Sequence, residues 1–124
     1  YKCDNHYVDY LAGHVFMNAI RIGGGSEGGR VCNMQFNTIV YACGEETKFG
    51  SWPNSAKADQ DKAYWQNQTE LRFITVGDCR NQILYNDFHY GGFEGIVFQA
   101  DQGKAASGCS LGFRGLRGAR SGWL

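Results

Sequence analysis

The sequence predicts an α+β domain, with one N-terminal helix packed on a curved antiparallel sheet. Three observations carry that expectation. Between residues 4 and 22, Val8, Leu11, Ala12, Val15, Ala19 and Ile22 recur at three- and four-residue steps, the period of a helix face. Between residues 69 and 109, three alternating runs (70–76, 82–86 and 93–99) are separated by Gly77-Asp78 and by the polar, glycine-rich stretch 87–92. That is the pattern of consecutive antiparallel strands. The chain has 124 residues, 18 of them glycine and 15% aromatic, which suits one strand-rich domain with a single core.

Each element has its own signals. Asp4 or Asn5 is placed to cap the helix, and Gly13 inside it costs about 1 kcal/mol of helix propensity. The run Gly23-Gly24-Gly25-Ser26-Glu27-Gly28-Gly29 ends it. That run lacks the Lys-Ser/Thr ending of a nucleotide loop and reads as a flexible linker. Residues 31–43, with Phe36, Ile39, Val40 and Tyr41, read as a strand or hairpin, and Cys32 and Cys43 are spaced to close a small loop. Residues 44–62 are polar, with Trp52-Pro53-Asn54 as a rigid point.

In the sheet, alternation puts Leu71, Phe73, Ile83, Tyr85, Ile96 and Phe98 under the helix, at roughly 1.5–3 kcal/mol for each buried side chain. The other face then carries Glu70, Arg72, Gln82, Leu84, Val97 and Gln99. A Glu70–Arg72 ion pair is expected there. The domain spans 1–113, and the basic glycine-rich tail 114–124 is expected to be disordered or to contact a partner.

Composition narrows the function. Twelve basic and twelve acidic residues balance, so no general field draws the chain to nucleic acid or to anionic membrane. No apolar run approaches the roughly 20 residues of a membrane-spanning helix. A start at Tyr1 and five cysteines suggest a mature secreted form with disulfides. Asn67-Gln68-Thr69 is a glycosylation sequon. The three histidines, His6, His14 and His89, are expected at surface or capping positions. No C-x-x-C or H-x3-H pair supports a zinc site, and no metal or cofactor is expected.

Taken together, the order of elements and several short motifs resemble the microbial guanyl-specific ribonucleases. The closest likeness is to the secreted RNase-like effectors of powdery mildew fungi. Tyr1-Lys2-Cys3 is similar to the aromatic-x-Cys start of those effectors, and the resemblance implies a bridge from Cys3 to Cys109. Glu70 precedes Gly77-Asp78 at the spacing of the family's general base. Its arginine falls on Gln82, its general-acid histidine on Gln99, a second histidine on Asn54 and a phenylalanine on Ala106. RNA cleavage through the 2′-hydroxyl requires both a base and an acid and stabilisation of phosphate charge, and glutamine provides neither a labile proton nor a cation.

The resemblance therefore implies a non-catalytic, avirulence-type effector. It would be secreted by the fungus, translocated into the host plant cell cytoplasm, and monomeric. There it would bind host proteins, with weak RNA binding as a further option, and be open to recognition by an intracellular immune receptor. Trp52, Phe88 and Tyr90, expected on loops, would be the partner-binding anchors. The alternative is an active guanyl-type ribonuclease using Glu70 and Arg72.

Overall fold

The computed structural model describes residues 2–15, 17–38, 66, 69–117 and 120–123. They form strands β1 (Tyr7–Asp9), β2 (Ala12–Val15), β3 (Asn18–Ile22), β4 (Ser26–Glu27), β5 (Arg30–Cys32), β6 (Gln35–Thr38), β7 (Arg72–Val76), β8 (Cys79–Arg80), β9 (Ile83–Tyr90), β10 (Glu94–Phe98), β11 (Ser110–Arg117) and β12 (Arg120–Trp123). Every pair of these strands is parallel. The expected α+β architecture is overturned. The molecule is a parallel β-solenoid, in which each coil of chain lies on the one before it.

The register defines the coil. Tyr7 pairs with Arg30 and Ala12 with Gln35, so β1 and β2 are carried forward onto β5 and β6 by one equal step along the chain. The next step, Arg30 to Ile83 and Gln35 to Phe88, is more than twice as long, because an extended segment of sequence separates β6 from β7. Later steps shorten again: Arg72 pairs with Glu94, and Ile83 with Ser110. The coils build three sheets, the first two running the length of the stack and the third confined to two coils. β1, β2, β5, β6, β9 and β11 form the first, β3, β7, β10 and β12 the second, and β4 with β8 the third.

Between β1 and β2, and between β5 and β6, the chain turns a corner through Tyr10 and Asn33, both at φ near +56°. β9 takes the same corner inside one strand, at Asn86 with φ +55°. Asparagine tolerates this left-handed conformation better than most residues. The corner side chains also bond along the stack. Asn86 Nδ2 donates to Asn33 Oδ1 at 2.7 Å, and Asn33 Nδ2 donates to Asp9 Oδ1 at 2.7 Å. A second corner stacks Asn5, Gly28, Asn81 and Gly108, all at positive φ. Glycine is required at two of its levels, since a Cβ on Gly28 would sit 2.6 Å from Asn5 Oδ1 and one on Gly108 2.3 Å from Asn81 Oδ1.

These corners explain why the helix expectation failed. A chain that turns every few residues restarts its in–out alternation each time, so apolar residues fall at three- and four-residue steps without a helix. Val8, Val15 and Ile22 lie on three different strands. The stretch 23–29, expected as a linker, is an ordered corner in which β4 pairs with β8 and Ser26 is buried. The boundary expected after residue 113 falls inside β11, which pairs with β9 from Ser110 to Arg117.

The core runs up the centre of the stack. Val8, Val31, Leu84 and Leu111 lie in register on successive coils, with Val31 and Leu84 fully buried. Ile20, Ile74 and Ile96 form another such column. Phe36, Phe73 and His89 stack face to face in the interior, with ring centroids 5.0 to 6.3 Å apart. His89, expected in a turn, is therefore a core residue of β9.

Of the six side chains expected in the core, Leu71, Phe73 and Ile96 are buried and Phe98 is half-buried, while Ile83 and Tyr85 are exposed. Around β9 the inward set is Gln82, Leu84, Asp87 and His89. A slip of one position exchanges the two faces of a strand.

Candidate functional site

The second sheet carries the polar site. Arg72 opens β7, and its register partner on β10 is Glu94. Arg72 Nε donates to Glu94 Oε2 at 2.6 Å, and Arg72 Nη1 donates to Gln99 Oε1 at 3.1 Å. The Glu94 side chain is 9% exposed and that of Arg72 32%, so this is an ion pair at the edge of the core. Beside it, Thr75 Oγ1 donates to Asn18 Oδ1 at 3.2 Å, joining β7 to β3. The expected Glu70–Arg72 pair does not form. Glu70 instead accepts from Gln66 Nε2 at 3.2 Å.

Over these groups lies an open cleft of about 350 Å³, lined by Met17, Asn18, Arg21, Thr69, Glu70, Arg72, Thr75 and Gln99. Arg21 also lines a second cleft of about 400 Å³ with Gly23, Gly24, Asp78, Asp101, Gln102 and Lys104. There Arg21 Nη2 lies 3.7 Å from Asp101 Oδ2. The two clefts form one polar track along β3 and past its C-terminal end. Among the described residues its cations are Arg21, Arg72 and Lys104, and its carboxylates are Glu70, Asp78 and Asp101, with Glu94 beneath. Guanidinium, carboxamide and carboxylate groups line it together, and neither sign dominates among the described residues.

The positions matched to the ribonuclease site separate here. Glu70 and Gln99 share the cleft, but Gln82 is fully buried between coils, with its Nε2 donating to the Arg80 carbonyl at 3.0 Å. Ala106 packs half-buried against the core. Asn54 and Trp52 lie outside the described residues. Local spacing could not have separated Gln82 from Gln99, because they flank strands of different sheets of the solenoid.

Phe88 and Tyr90 lie in β9 on the first sheet and not on a loop, with Phe88 36% exposed and Tyr90 half-buried. Tyr7, Tyr10, Ile83 and Tyr85 are exposed on the strands and corner of the same sheet. His6 Nδ1 lies 3.0 Å from the Cys3 carbonyl, near the start of the stack. Cys3, Cys32, Cys79 and Cys109 are all free thiols, Cys3 and Cys109, the expected bridge partners, among them. No group of three or more histidine, cysteine or acidic side chains among the described residues is arranged to hold a metal ion.

Asn18, Arg21, Thr75 and Glu94 were missed as a group by sequence reasoning. Asn18 and Arg21 lay within the expected helix, and Glu94 lies a full coil beyond its partner Arg72. Fold and site together define a parallel β-solenoid with a charge-balanced polar track on its second sheet. Compared with known protein families, curated proteins and solved structures, the chain matches none.

Proposed function

We propose that this chain is a glycan-binding module, and that the track along β3 and β7 holds an extended, uncharged oligosaccharide. The observation that supports this reading is the pairing of donors with acceptors in the cleft, Arg72 with Glu94 and Gln99, and Thr75 with Asn18. A sugar hydroxyl both donates and accepts, and a surface that offers both kinds of group side by side matches it. An anionic polymer would need a surplus of cations, and the described residues of the track offer none. The shallow, open form suits a chain lying across the surface, whereas small cofactors favour enclosed apolar pockets.

The effector reading, with host proteins as partners, rested on a ribonuclease-like fold, and the glycan proposal stands without it. Neither ribonuclease chemistry nor RNA binding is needed to account for the cleft.

Titration calorimetry against neutral oligosaccharides of four to six sugar units tests the reading. Binding is expected with little change between about 50 mM and about 500 mM salt, since few ions are released. Asn18→Ala and Arg21→Ala should each weaken it by roughly tenfold, the worth of about one hydrogen bond. Absence of binding to every oligosaccharide, or salt-sensitive binding to single-stranded RNA, would overturn it.

A further inference from the structure

We propose that Cys79 and Cys109 are a disulfide-forming pair that ties two consecutive coils of the solenoid together. Cys79 opens β8 and is fully buried, while Cys109 directly precedes β11 and packs half-buried against the same core. The backbone brings them to one corner. Arg80 forms a parallel bridge with Ser107, whose N–H donates to the Cys79 carbonyl at 3.0 Å. Gly108 then turns the chain at φ +64°, stacked against Asn81. This leaves Cys109 Sγ 3.6 Å from the Ser107 carbonyl, on the same corner as Cys79. Cys3 is exposed in the first coil, and Cys32 lies in β5 on the first sheet.

The chemistry balances with a small-molecule disulfide such as oxidised glutathione. The Cys109 thiolate attacks one sulfur of the oxidant and expels a glutathione thiolate, leaving a mixed disulfide. The Cys79 thiolate then displaces the second glutathione, and the Cys79–Cys109 S–S bond forms. The protein thiols lose two protons and two electrons, and the oxidant is reduced to two thiols. Burial, with Cys109 and Asp78 nearby, pushes the Cys79 thiol up to about 12. Only the thiolate reacts, so closure is slow at neutral pH and accelerates as pH rises.

The full chain is incubated folded with oxidised glutathione at about pH 8.5, alkylated, and digested without reduction for mass spectrometry. A peptide joining Cys79 to Cys109, and a thermal midpoint raised on the order of 10 °C over the reduced protein, are the expected results. Cys109→Ser should abolish that oxidant-dependent rise, and Cys3→Ser should keep it. The proposal is overturned if Cys109 is recovered joined to Cys3, or if Cys79 and Cys109 are both alkylated after oxidation.

Discussion

Arg72 holds a carboxylate that water barely reaches. With the Glu94 side chain 9% exposed and only 2.6 Å from the guanidinium, removing Arg72 leaves a nearly buried charge uncompensated. Arg72→Met should cost about 3 kcal/mol in denaturant unfolding, and adding Glu94→Leu should recover much of it, because replacing both members of a buried pair by apolar groups is often neutral. At the first corner, the Asn33 amide, helped by the Tyr7 hydroxyl, holds the Asp9 carboxyl below its usual range. A carboxyl lowered in the folded state adds stability above its ordinary value near about 4 and loses it as pH falls through the folded value. Asp9→Asn should therefore flatten the fall of the thermal midpoint with acidification below about pH 4.

At the scale of the element, the corners matter as much as the strands. The ladder from Asn86 through Asn33 to Asp9 couples three coils. Asn33→Ala removes both its bonds and leaves alanine in a left-handed conformation, so a loss of about 1–3 kcal/mol is expected in chemical unfolding. Asn33→Gly keeps the conformation available and should cost less. The strands themselves were largely legible. Runs expected at 70–76, 82–86 and 93–99 correspond to β7, β9 and β10, because alternation and β-branched residues act locally. The three strands before residue 23 were not legible, since closely spaced corners imitate the helical period.

At the scale of the whole molecule, every strand pairing among the described residues is parallel and joins positions at least a full coil apart in the chain. Long-range contacts of this kind must be closed against loop entropy before they stabilise anything, so refolding should take milliseconds to seconds in stopped-flow measurements, where a small helical domain is far faster. Spin labels on Ala12 and Gln35, register partners in adjacent strands, should report a backbone separation of about 5 Å plus the label linkers. A helix packed on an antiparallel sheet has no reason to bring these two positions together.

What the sequence determined alone was local: where β7 and β10 run and where β9 begins, that Gly77 and Asp78 follow β7, and that Leu71, Phe73 and Ile96 are core. The overall balance of charge was also set by composition. Tertiary structure decided the sense of pairing, the register of the coils, and the meeting of Asn18, Arg72, Glu94 and Gln99. The physical reason is that side-chain alternation reads the same in parallel and antiparallel sheets. The coil repeat that distinguishes them is present as shape, in Val8, Val31, Leu84 and Leu111. The long segment between Thr38 and Arg72 lengthens one coil step relative to its neighbours and hides the period.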